Sequence, residues 1–151
     1  APLLTTSRRK GFRAGAAPWH DDLDCYQRIA TRMRSPAVKI FSSLNLWDIC
    51  TLIAHSRAYC GSSLHGRIVA TAFALPRVNL RHPAEASPLT KQAAYASTWE
   101  MPGMPITVAV ADIGQGLRQA MAADPAALKR TASALASRYR MEFEAIRARQ
   151  G

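Results

Sequence analysis

The sequence predicts a doubly wound α/β domain on a mostly parallel sheet, Rossmann-like in its alternation of strand and helix, and three observations carry that prediction. Short β-forming runs alternate with amphipathic segments of helical spacing as far as Leu80. The connections between them are short, and strands joined by crossover helices run parallel and are covered on both faces. Finally, 151 residues at 48% hydrophobic are enough for one domain with a core of its own. The expected layout is a basic tail or truncated lead-in over 1–11 and a single α/β domain over 12–151.

The elements follow in order. After a first strand before Gly15, Asp21 or Asp22 caps a helix whose Leu23, Tyr26, Ile29, Ala30 and Met33 recur at helical spacing until Ser35-Pro36 stops it. Val38 to Phe41 is a strand. Ser42-Ser43 then lead into a helix with Leu46, Ile49, Cys50 and Ile53 on one face, ending near His55. Tyr59-Cys60 is the next strand, followed by a helix that Pro76 terminates and a strand over Arg77 to Leu80. The proline-rich stretch 81–105 is irregular, with Lys91 to Trp99 helical inside it on one packed face, and a stretch this long is commonly functional. Ile106 to Val110 reads as the last strand. Asp124-Pro125 opens a final helix with Leu128, Leu135, Tyr139, Phe143 and Ile146 at core spacing.

Composition excludes several classes. The formal charge of +10 comes from sixteen Arg and four Lys against ten acids, but these scatter along the chain, with one local cluster at Ser7-Arg8-Arg9-Lys10. That distribution argues against nucleic acid and for a general attraction to anionic substrates. Cys25, Cys50 and Cys60 are odd in number and lack a C-x-x-C pattern, so they predict reduced thiols instead of a disulfide framework. His20, His55, His65 and His82 have no partner at ligand spacing, and no metal site is expected. The longest apolar run, Ile68 to Leu75, is far short of a membrane span, which with the absence of a signal segment leads to the expectation of a cytoplasmic protein.

The informative segment is Ala58 to Pro76, where a strand meets Gly61, two hydroxyl residues suited to an N-cap, and an apolar helix. Such a turn directs unpaired backbone N–H groups and the positive end of a helix dipole at one spot. His65 falls in the first helical turn beside it. A titratable imidazole at an anion cradle is a candidate for proton transfer. In an open parallel sheet this turn lies at the carboxyl ends of the strands, where ligands settle. Segment 15–22, with His20-Asp21-Asp22, and Ser42-Ser43 would share that edge.

The run Cys60-Gly61-Ser62-Ser63-Leu64-His65-Gly66-Arg67-Ile68-Val69-Ala70, followed by Ala72-Phe73-Ala74-Leu75-Pro76, resembles the Ser-x-His-Gly segment of polysaccharide pyruvyl transferases. Leu46 to His55 and the later Lys91, Tyr95 and Trp99 also fit that family's C-terminal half, and the resemblance extends over residues 12–120. It implies transfer of a pyruvyl group from phosphoenolpyruvate to sugar hydroxyls of a surface polysaccharide or its lipid-linked precursor, forming a ketal, with no cofactor. It also implies one half of a GT-B-type two-domain fold, whose other α/β half or partner subunit completes the cleft. His65 then becomes the catalytic residue, while Ser62, Ser63, Leu64, Gly66 and Arg67 become the substrate-binding ones. Some members carry Arg directly before Leu-His-Gly where this chain has Ser63, so no phosphate-binding cation is assigned there.

Two other functions compete. A nucleotide-sugar-binding half of a GT-B-type glycosyltransferase would want a Glu-x₇-Glu pair, which Glu85, Glu100, Glu142 and Glu144 do not make. A non-catalytic module that binds anions or a partner needs only the cradle.

Overall fold

The computed structural model describes residues 4–6, 22–43, 45–81 and 90–150. The basic cluster 7–10, residues 15–21 with His20 and Asp21, and His82 lie outside the described residues. The chain divides into two compact units, 1–52 and 53–151.

In the first unit, strand β1 (Leu4–Thr6) pairs in parallel with β2 (Lys39–Phe41), Leu4 opposite Lys39 and Thr6 opposite Phe41. The crossover between them carries helix α1 (Asp22–Arg32), which packs against β2. Helix α2 (Leu46–Ala54) follows, with its start fixed by Asn45, whose Oδ1 accepts the Trp47 amide at 2.8 Å. Ser43 donates to the Asp48 carboxylate in the same first turn.

The second unit holds a three-stranded sheet in the order β3 (Tyr59–Gly61), β4 (Arg77–Leu80), β5 (Thr107–Val108), all pairs parallel. Helix α3 (Leu64–Ala72) connects β3 to β4, and α4 (Lys91–Trp99) lies between β4 and β5. After β5 come a 3₁₀ turn (Val110–Asp112), helix α5 (Ile113–Met121) and the long helix α6 (Pro125–Gln150). Successive strand residues face opposite sides of a sheet. Val78 meets α5, where a Cβ on Gly116 would lie 3.3 Å from the Val78 methyl and 2.9 Å from Val108. Asn79, its neighbour, meets α3 through Arg67 at 2.9 Å. Helices therefore cover both faces of β4, and the described strands form two small parallel sheets.

An apolar cluster of Met104, Ala120 and Leu128, with Ala74, Met101 and Ala123 packed against it, sits at the edge where the strands begin. Ala74 precedes β4, Met101 and Met104 precede β5, and Ala120 closes α5. The opposite edge, where the strands end, carries the turns that follow Gly61 and Val108.

Three sequence expectations need correction. The last strand covers Thr107–Val108 instead of Ile106 to Val110, and α5, which the sequence reading does not contain, occupies the residues beyond it. Gly114 and Gly116 hide that helix from propensity reasoning, yet Gly116 is what lets α5 approach the valines of the sheet. Helix α3 ends at Ala72, before Pro76 can act. Ala74, at φ 55°, makes the closing turn, with its amide bonded to the Thr71 carbonyl at 3.0 Å and that of Leu75 to Ala70 at 2.9 Å. On α6 only Leu128 is buried, whereas Tyr139, Phe143 and Ile146 are exposed because the helix runs on past the body it packs against. Tyr139 and Phe143 pack on each other instead, with ring centroids 5.0 Å apart.

Candidate active site

The tip of α3 is built from the cap outward. Ser63 has extended backbone (φ −83°, ψ 128°), and its Oγ accepts the Gly66 amide at 3.3 Å. Its carbonyl receives the Arg67 amide at 3.2 Å, which closes the first helical turn. Ser62, Ser63 and His65 are exposed, while Leu64 and Gly66 are half-buried. Among the described residues no group accepts from the amides of Ser62, Ser63, Leu64 or His65, so this helix end keeps donors to offer.

The carbonyls of the same loop are all taken. Gly61 O accepts from Asn79 Nδ2 at 3.0 Å, and Ser62 O accepts from Gln92 Nε2 at 2.7 Å. Ser63 O accepts from the Tyr59 hydroxyl at 3.0 Å and from Asn79 Nδ2 at 3.4 Å. Gln92 stands in the first turn of α4, so the starts of α3 and α4 meet at Ser62. Tyr59 reaches Ser63 by laying its ring over two glycines. A Cβ on Gly61 would lie 2.7 Å from the Tyr59 hydroxyl, and one on Gly66 2.6 Å from the ring carbons. Gly61 does not adopt positive φ; space, and not backbone conformation, requires glycine here.

Arg67 behaves differently from its sequence reading as a substrate-binding charge. It is wholly buried, and its guanidinium turns into the protein. Nη1 donates to Asn79 Oδ1 and to the Ile106 carbonyl, both at 2.9 Å; Nη2 donates to Glu100 Oε2 at 2.6 Å and to the Pro105 carbonyl at 3.0 Å. Arg77, equally buried, donates Nε to Glu100 Oε2 at 2.9 Å and pairs with Oε1 as well, while its Nη1 reaches the Leu75 carbonyl at 2.7 Å. Two guanidiniums thus share one carboxylate. Burial holds the Arg67 pKa below the usual arginine range, opposed by the attraction of Glu100. Burial also pushes up the Cys60 thiol pKa, which keeps it protonated and poorly nucleophilic.

The structure therefore brings the exposed Ser62, Ser63 and His65 and the half-buried Leu64 to one tip, places Gly66 beneath the Tyr59 ring and sends Arg67 inward. Sequence reasoning missed Tyr59, Asn79, Gln92, Arg77 and Glu100. One signal was available: Arg77 and Asn79 are alternate residues of a strand expected to be buried, so one face of it had to carry polar partners. Trp99, on the α4 face with Lys91 and Tyr95, carries the Arg138 guanidinium over its ring at 4.8 Å. Among the described residues, no group of three or more His, Cys, Asp and Glu could hold a metal ion, and no helix is long and apolar enough to cross a membrane.

Residues 10–82 match the polysaccharide pyruvyl transferase family model. The resemblance carried by Ala58 to Pro76 is thus part of a longer match to that family, running through α1, β2, α2, β3, α3 and β4. Lys91, Tyr95, Trp99 and Glu100 lie beyond the matched stretch. No curated protein and no solved structure matches the chain.

Proposed function

We propose that this chain supplies the α3 tip to the active site of a polysaccharide pyruvyl transferase, with phosphoenolpyruvate as donor and a sugar or lipid-linked saccharide as acceptor. The observation that carries the reading is the exposed His65 beside amides at the start of α3 that no described residue accepts from, within a stretch that matches the family. The amides of Ser62, Ser63 and Leu64 suit the carboxylate or phosphate of the donor. In the reaction a proton adds to the methylene carbon of phosphoenolpyruvate, a sugar hydroxyl oxygen bonds to C2, and the bond from C2 to the phosphate oxygen breaks. A second hydroxyl then closes the ketal, releasing its proton as the first is retained in the new methyl group. His65 moves one of these protons, as an imidazole near neutral pH can.

No cofactor is needed for this chemistry, and a cytoplasmic setting follows from the donor. A second α/β half, on the same polypeptide or on a partner subunit, would complete the acceptor side of the cleft.

Thermal-shift titration tests the reading, because a ligand that binds only the folded chain raises its melting temperature. Phosphoenolpyruvate is expected to stabilise the protein and nucleotide sugars are not. Stabilisation by nucleotide sugars alone would favour a glycosyltransferase, and a response confined to heparin and lost with salt would favour a plain polyanion binder. His65→Ala is expected to keep the fold and the phosphoenolpyruvate shift while abolishing phosphate release in the assembled enzyme. Unimpaired release by that variant removes His65 from the mechanism.

A further inference from the structure

We infer that Asn79 is the positioning residue of the anion-binding tip. Held by Arg67 through its Oδ1, it grips the carbonyls of Gly61 and Ser63 and so turns the amides of Ser62 and Leu64 toward the ligand. The inference rests on reading the tip as the donor site, and deepens it by naming what sets the direction of the donors.

Asn79 is 0% exposed, in a strand whose neighbours on the same face are polar. A carboxamide has one accepting and one donating end, and which end faces which partner is decided by its surroundings. Here Arg67 decides it. Arg67 has only donors, so its Nη1 at 2.9 Å requires the oxygen of Asn79, leaving Nδ2 for the loop. Nor can Arg67 turn away, since Nη2 is held by Glu100 and the Pro105 carbonyl. Orientation therefore passes from Glu100 to Arg67, from Arg67 to Asn79, and from Asn79 to the loop.

What the loop gains follows from peptide geometry. In a trans peptide the N–H of residue i+1 points opposite to the carbonyl of residue i. Nδ2 of Asn79 holds the carbonyls of Gly61 and Ser63, at 3.0 and 3.4 Å, so the amides of Ser62 and Leu64 each point away from Asn79. Gln92 acts likewise on the Ser62 carbonyl and turns out the Ser63 amide. Donors fixed in this way before a ligand arrives need no reorganisation to bind it. The ligand chemistry this fits is a group with several acceptor oxygens on one centre, a phosphate or a carboxylate. Behind the loop, the two guanidiniums on one carboxylate leave a buried positive charge in excess, which acts on the same anion.

The test uses Asn79→Asp in the 151-residue chain. Aspartate keeps an acceptor for Arg67 and matches the excess positive charge around it, but it has no donor for the loop and sets a carboxylate against two carbonyl oxygens. Leu128→Ala, which weakens the apolar cluster at the far edge of the sheet, is the comparison for a loss of stability alone. Hydrogen exchange without ligand is read at the Gly66 and Arg67 amides, which bond to Ser63. Calorimetry reads the affinity for inorganic phosphate and for phosphoenolpyruvate at fixed salt. Expected for Asn79→Asp are exchange faster by about tenfold at those two amides and an affinity loss of about tenfold or more for both anions, against about twofold or less for Leu128→Ala.

Wild-type exchange at Gly66 and Arg67 in the Asn79→Asp protein would overturn the inference, as would an affinity loss no larger than that of Leu128→Ala. If the unaltered protein binds neither anion, the donor-site reading has failed, and the exchange arm alone decides the role of Asn79. Should Asn79→Asp not fold, Asn79→Ser, which cannot span both carbonyls, is judged by the same two criteria.

Discussion

Arg67 and Glu100 meet at 2.6 Å with side chains 0% and 3% exposed, 33 residues apart in the sequence, and Arg77 closes on the other oxygen of the same carboxylate. The pairing ties α3 and β4 to the end of α4. Removing one partner of such a buried group leaves charge without compensation, which costs far more than losing a surface pair. Glu100→Gln is therefore expected to lower the free energy of unfolding by about 3 kcal/mol or more. Urea denaturation measures it, and a loss under about 1 kcal/mol would show that the arginines find other partners.

Gly66→Ala should run against the usual rule. Alanine in place of glycine inside a helix ordinarily stabilises by about 1 kcal/mol. Here the methyl would meet the Tyr59 ring at 2.6 Å, pushing the ring off the loop and breaking its bond to the Ser63 carbonyl. The expected result is a lower melting temperature, and a higher one would mean the ring relocates at no cost.

Ala74→Gly should stabilise. The left-handed conformation at φ 55° costs an L-residue about 1–2 kcal/mol, more than the entropy and buried methyl that glycine gives up. A gain of some tenths to about 1 kcal/mol in chemical denaturation is expected, and a net loss would show that the packing of Ala74 against the Met104 cluster matters more.

Asp124 gives a pH signature. Its carboxylate lies below the usual range, first through the Ala126 amide at 2.9 Å, then through the Ala127 amide and Arg130. A group whose pKa is depressed by folding stabilises above its unfolded value of about 3.9 and loses that contribution as pH falls through its folded value. Melting temperature followed from about pH 6 to about pH 2 should therefore drop less steeply for Asp124→Asn than for the unaltered protein. Parallel curves would show that the cap does not titrate in this range.

The sequence by itself determined the local elements and the place of the tip. Apolar spacing located α1, α2, α3, α4 and the start of α6, and the Gly-Ser-Ser-Leu-His-Gly run located a capped helix start with an exposed imidazole, because caps and periodicity are properties of neighbouring residues. Only the tertiary structure decided the rest. That Arg67 serves Glu100 and Asn79 rather than an incoming anion depends on residues brought together across long stretches of chain. That α5 is a helix despite two glycines depends on the valines it must approach, and the exposure of Tyr139, Phe143 and Ile146 depends on where the body beneath α6 ends. Each of these is a matter of which distant atoms lie within a few ångströms, and spacing along a single chain does not encode it.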